Sequence, residues 1–135
     1  MPRAADDVTD TQLAMLQVLW DRGEATRRQV ADALYPGGTE AHYATVQKLL
    51  ERLEARGYVC HTRRDGVLVY TAAVGRDELI RRRLRDLADK FCDGAVTPLV
   101  MTLVRSRRLS EAELQELHDF IREQRRQSKR GGERR

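Results

Sequence analysis

The chain has 135 residues, 41% of them hydrophobic and 34% charged, with a formal net charge of +4. That length suits one compact domain or two very small ones, and no apolar run is long enough to cross a membrane. The N-terminus lacks the apolar stretch of a secretory signal, so a cytoplasmic protein without membrane insertion is expected.

A helix is predicted to open at Thr9, where Thr9 and Gln12 fit a capping box. Leu13, Leu16, Leu19 and Trp20 then recur at helical spacing, and Gly23 ends the run. A shorter helix follows, capped by Thr26 with Gln29 and striped by Val30, Ala33 and Leu34. Pro36-Gly37-Gly38 breaks it. A third helix is predicted over 41–56, with Val46, Leu49, Leu50 and Leu53 inward.

The period then changes. Residues 58–64 read as a strand, Asp65-Gly66 as a tight hairpin turn of the kind that needs positive φ at both central residues, and residues 67–71 as the returning strand. After Gly75 a long helix carries Leu79, Ile80, Leu84, Leu87, Ala88 and Phe91. A second apolar run follows Pro98, with Leu99, Val100, Leu103 and Val104. Ser110 and Glu113 cap a last helix striped by Leu114, Leu117, Phe120 and Ile121. Beyond Ile121 no apolar side chain remains, and residues 122–135 carry seven basic and two acidic side chains. Their net of +5 leaves about −1 for everything before them, and such a segment is expected to be a disordered basic tail or a frayed helix.

Three helices followed by a hairpin, with a short link between the second and third, make a winged helix-turn-helix. The expected fold class is therefore mostly α with a small β-hairpin (α+β). It comprises a winged-helix DNA-binding domain over 1–74, a helical dimerisation region over 75–121 and the tail over 122–135. In this layout the third helix enters the major groove and the hairpin lies along the backbone. The expected DNA-contacting residues are His42, Tyr43, Ala44, Thr45, Gln47, Lys48 and Arg52 on the helix, and His61, Arg63 and Arg64 on the wing. Gln47 suits adenine and Lys48 suits guanine, while Tyr43 and Thr45 suit phosphates or a thymine methyl. Residues 41–64 hold five basic and two acidic side chains.

Two stretches carry a family likeness. They are Thr9-Asp10-Thr11-Gln12-Leu13-Ala14-Met15-Leu16-Gln17-Val18-Leu19-Trp20 and the run from Ala44-Thr45-Val46-Gln47-Lys48-Leu49-Leu50 through Arg52-Leu53 to Gly57-Tyr58. Both resemble the penicillinase-repressor family (BlaI/MecI/CopY type), with its "LW" at the end of the first helix and its "TV…LL.RL…GY" through the recognition helix. The resemblance covers roughly residues 8–121. It implies a homodimeric repressor on a palindromic DNA operator, with Ala44, Thr45 and Lys48 in the groove. Family members often carry a longer polar residue where Ala44 stands. In antibiotic-responsive members a membrane sensor metalloprotease, a further implied partner, triggers cleavage at an Asn-Phe bond. The matching dipeptide here is Thr102-Leu103. The copper-responsive branch uses a cysteine cluster that this chain lacks.

Dimerisation is expected through Leu79, Leu84, Leu87, Phe91, Leu99, Leu103, Leu114, Leu117 and Ile121, because these apolar stripes have few partners in so short a chain. Neither a metal site nor a cofactor is indicated. Cys60 and Cys92 stand apart from any CxxC or His/Cys cluster and read as ordinary reduced thiols. The three histidines, His42, His61 and His118, fall in separate elements without a partner motif, so an enzyme is not expected. The rival reading is a winged-helix protein-interaction adaptor, which salt would distinguish: phosphate binding fades steeply as salt rises, and an apolar interface does not.

Overall fold

A computed structural model describes residues 8–106 and 108–133. Its elements run α1 (Asp10–Arg22), β1 (Ala25–Thr26), α2 (Arg27–Leu34), α3 (Glu40–Ala55), β2 (Val59–Arg64), β3 (Val67–Ala72), α4 (Arg76–Phe91), α5 (Thr97–Arg105) and α6 (Glu111–Glu133). The mostly helical class with a small β element, and the winged-helix order, are as expected. The chain divides into two compact units, residues 1–84 and 85–135.

The first unit is built from capped helices over one apolar core. Thr9 Oγ1 accepts from the Gln12 amide at 3.1 Å, and the Gln12 side chain accepts in return from the Thr9 amide at 3.1 Å. Two orphan donors at the start of α1 are thereby satisfied, so Gln12 can lie buried at little cost. Thr26 and Gln29 repeat the arrangement at the start of α2. Met15, Leu16 and Leu19 from α1, Val30 from α2, and Val46, Leu50 and Leu53 from α3 are all buried in the same cluster. Each such Leu contributes about 2 kcal/mol by leaving water. Trp20 joins α1 to the end of the sheet, its indole N–H donating to the Val74 carbonyl at 2.8 Å.

The hairpin is part of a three-stranded antiparallel sheet in the order β1-β3-β2. Strand β1 is only two residues long, too short for any periodicity to announce, and pairs Ala25 with Tyr70 and Thr26 with Val69. Strands β2 and β3 pair from Val59 opposite Ala72 to Arg64 opposite Val67. Asp65 and Gly66 both hold positive φ, 52° and 80°, which gives the turn the right-handed twist that its strands require.

Two expectations need correction, and a third, the disordered tail or frayed helix over 122–135, resolves to helix through Glu133. Leu79, read as a dimer residue, is only 4% exposed and belongs to the core of the first unit. That burial carries the first unit past Val74, where the sequence placed its end, into α4. The segment 122–135 does not leave the regular structure at Arg122: α6 continues through Glu133. Arg, Gln, Lys and Glu are good helix formers, and nothing breaks the run before the glycine pair Gly131-Gly132. The last two residues of that expected tail, 134–135, lie outside the described residues.

In the second unit, Leu99, Leu114 and Leu117 are half-buried. Leu103 stays 55% exposed, Phe91 76% and Phe120 61%. An open groove of about 460 Å³ is lined by Val100, Leu103, Val104, Leu109, Leu117 and Phe120, with Glu113 and Glu116 at its edge.

Candidate nucleic-acid interface

Helix α3 presents one face to the core and the other to solvent. Val46, Leu50 and Leu53 are fully buried, which fixes the helix against the rest of the first unit. Ala41, Ala44, Thr45, Lys48 and Arg52 are exposed and follow at the i, i+3, i+4, i+7, i+11 spacing of one helical face. Ala41 and Ala44 keep the N-terminal part of this face low, so a partner surface can approach the backbone closely there. Among the described residues, Lys48 and Arg52 form no ion pair.

The start of α3 is set by an unusual cap. Thr39 is the N-cap, and its backbone N–H donates to His42 Nδ1 at 3.1 Å. The imidazole also stacks on Tyr35, with ring centroids 4.4 Å apart and planes 14° apart. Gly38 makes this possible: a Cβ there would lie 2.8 Å from the Tyr35 carbonyl oxygen and 3.0 Å from His42 Nδ1. His42 is thus at the surface, but its ring nitrogen and one ring face are already engaged in closing the turn between α2 and α3.

The other helix residues divide by how free they are. The Thr45 hydroxyl donates back to the Ala41 carbonyl at 2.9 Å. Gln47 is half-buried and donates to Glu51 at 3.4 Å. Tyr43 is half-buried beneath the Arg28 guanidinium, 5.0 Å from its ring centroid.

All three wing residues are exposed, and each has an internal partner. His61 Nδ1 lies 2.6 Å from a Glu54 carboxylate oxygen. Arg63 donates to the Gly66 carbonyl across the turn at 3.1 Å. Arg64 donates through both terminal nitrogens to Glu24, at 2.7 and 3.3 Å. The hydrogen bond to Glu24, and then its charge, push the Arg64 pKa above its ordinary value.

Glu24 lies against the expected site residue Arg64, and Arg28 against Tyr43, neighbours that the sequence alone did not indicate. Glu24 precedes the short strand β1, and only the sheet brings it to the wing. Arg27 Nε donates to the Tyr70 hydroxyl at 3.4 Å. Arg27 and Arg28 occupy the first turn of α2, which has no acidic residue. Two cations at a helix N-terminus oppose the macrodipole. Among the described residues, no group of three or more His, Cys, Asp or Glu side chains converges as metal ligands would. No helix among them is long and apolar enough to cross a membrane.

Similarity to known proteins agrees with this geometry. The penicillinase repressor family model matches residues 8–123. The penicillinase repressor of Bacillus licheniformis is 24% identical over 122 residues, spanning 90% of this chain and 94% of that protein. An uncharacterised 16.5 kDa protein from the ptsI 3' region of Latilactobacillus sakei is 20% identical over 121 residues, 90% of this chain and 82% of that one. Among solved structures, Lactococcus lactis ZitR in apo form superposes with a TM-score of 0.42 at 16% identity, over 91% of this chain and 85% of that one. The match over nearly the whole winged helix and the helices after it shows that the chain belongs to the penicillinase repressor family of DNA-binding transcriptional regulators.

Proposed function

We propose that the protein is a homodimeric repressor that binds a palindromic operator, with α3 in the major groove and the β2–β3 wing on the phosphate backbone. The observation that carries this reading is the exposed row Ala44, Thr45, Lys48 and Arg52 on a helix held rigidly by three fully buried side chains. A reading head has to be rigid if hydrogen bonds to base edges are to discriminate. Lys48 lies in the middle of the row with its ammonium free to donate to guanine O6 or N7. Thr45 suits a thymine methyl, through its own methyl, better than a phosphate, since the hydroxyl proton is already committed to Ala41. Arg27 and Arg28 at the N-terminus of α2 suit phosphates, as the first helix of a helix-turn-helix crosses the backbone. Two copies joined through the exposed apolar side chains of the second unit would present two such helices to two half-sites.

The Thr102-Leu103 peptide lies within α5, where Thr102 Oγ1 donates to the Pro98 carbonyl at 2.7 Å. A protease acting at that bond would have to unwind α5 before it could bind the bond in extended form.

The test is Lys48→Ala, with binding measured on operator and scrambled duplexes at one fixed salt concentration. The expected loss is about 1–3 kcal/mol on the operator and much less on the scrambled duplex, with folding intact. Equal losses on both duplexes would make Lys48 a phosphate contact. No loss on either would remove α3 from the interface.

A further inference from the structure

The C-terminal part of α6 carries a charge that neither the winged helix nor the apolar groove uses. Arg122, Arg125, Arg126 and Lys129 are exposed and lie on continuous helix. Their i, i+3, i+4, i+7 spacing gathers all four on one face, spread over about 10 Å of helix axis at 1.5 Å per residue. Arg126 lies 3.6 Å from Glu123. Among the described residues, Arg122, Arg125 and Lys129 have no carboxylate partner. Like charges one turn apart repel and weaken a helix, so the row is favourable only when an anion neutralises it. The family match ends at residue 123, so all of the row but Arg122 lies beyond that match.

We propose that this face is a second, sequence-independent binding site for the phosphate backbone of duplex DNA. The chemistry of the segment selects that polyanion over a lipid surface. The apolar stripe of α6 ends at Ile121 and is covered in the dimer proposed above, which leaves the basic face without the apolar face that a helix lying in a membrane interface needs to bury. Gln124, Gln127 and Ser128 supply neutral donors of the kind that also bond phosphate oxygens. At 100° per residue, the row is centred roughly a quarter-turn or more around the helix from Leu114, Leu117 and Ile121, so covering the apolar stripe leaves most of it free. Joined to the winged helix in one chain, the site acts at high effective concentration once the first contact is made. Its effect is to strengthen binding to every duplex alike. The choice of duplex DNA rests on the function proposed above.

The experiment compares the full chain with the quadruple variant Arg122→Gln, Arg125→Gln, Arg126→Gln, Lys129→Gln on operator and random-sequence duplexes across a range of salt. Each phosphate contact contributes about 0.9 to the slope of log affinity against log salt, so the slope should flatten by up to about 3.6 per chain, or about 7 for the dimer. Low-salt affinity should fall by about tenfold or more on both duplexes. The ratio of operator to random affinity should stay unchanged. A charge-keeping variant, with the three arginines changed to lysine, should retain the slope, and helicity by circular dichroism should match the parent in both variants. An unchanged slope in the glutamine variant overturns the proposal. So does a charge-dependent affinity for vesicles containing phosphatidylserine together with an unchanged affinity for DNA. Failure of the operator reading is distinct from either: it shows as an absent operator preference in the parent chain, whatever the tail does.

Discussion

Replacing Trp20 with Phe tests the link between the first helix and the end of the sheet. The indole N–H donates to the Val74 carbonyl at 2.8 Å, and Val74 is itself buried. Phe keeps most of the ring but removes the donor, leaving that acceptor without its partner in a site of limited water access. Losing the bond costs about 1 kcal/mol, and an acceptor left unsatisfied raises the figure to about 1–3 kcal/mol. The Arg76 guanidinium lies 5.2 Å from the Trp20 ring centroid, and weakening that contact adds a few tenths of a kcal/mol, the exposed limit for such pairs being about 0.5–1 kcal/mol. A total near 2 kcal/mol corresponds to a fall in Tm of roughly 10 °C for a unit of this size. Trp20 is the only tryptophan in the chain, so unfolding has to be followed by circular dichroism, at one fixed protein concentration. Operator affinity well below the midpoint should be unchanged, because Val46, Leu50 and Leu53 still anchor α3. A fall in Tm below about 2 °C would show that the Val74 carbonyl is satisfied without the indole, and would refute the account of Trp20 as the link between α1 and the end of the sheet.

Three further outcomes follow from particular contacts. Glu24→Gln should release Arg64 from its two-point pairing, raising affinity for operator and random duplex by a similar few-fold factor and steepening the salt slope by roughly one; an unchanged slope would mean that Arg64 does not meet phosphate. Leu103→Glu with Phe120→Glu places two charges in the apolar groove and should convert a micromolar dimer to monomer in sedimentation, each large side chain withdrawn from an interface costing about 2 kcal/mol; a dimer that persists would move the interface elsewhere. The Ser110 backbone N–H first, and then its hydroxyl, hold the Glu113 carboxyl below the usual carboxylate range. A depressed pKa contributes stability above the ordinary value and loses it as pH falls through the folded one. The protection factor against hydrogen exchange at the start of α6, in which the intrinsic pH dependence of exchange is divided out, should therefore fall on acidification, and Glu113→Gln should abolish that fall; the same fall in the variant would exclude Glu113 as its source.

The elements legible in the sequence were those whose cause is local. Thr9 with Gln12, Thr26 with Gln29, and Ser110 with Glu113 cap helices by bonds that span three residues, so their signal survives in a linear string. Asp65-Gly66 marks a turn through backbone conformations that few other residue pairs adopt easily. The apolar spacing of Val46, Leu50 and Leu53 sufficed to put Thr45, Lys48 and Arg52 on the outer face of α3, which is the geometry on which the proposed DNA contact rests.

What the sequence could not show depends on partners distant along the chain. Strand β1 exists only because β3 offers Val69 and Tyr70 to Ala25 and Thr26, since two residues have no period of their own. Leu79 carries the same apolar spacing as its neighbours on α4, and only packing against the first unit's core separated it from Leu84, Leu87 and Phe91, which remain exposed. The pairing of Arg64 with Glu24 joins residues forty positions apart, brought together by the sheet. His42 looked like one more polar residue on a reading helix, until the turn at Gly38 brought Tyr35 against its ring. Local rules decide which backbone a segment prefers and which face is apolar; which of several equivalent side chains is buried, paired or left free for DNA is decided by neighbours that only folding brings near.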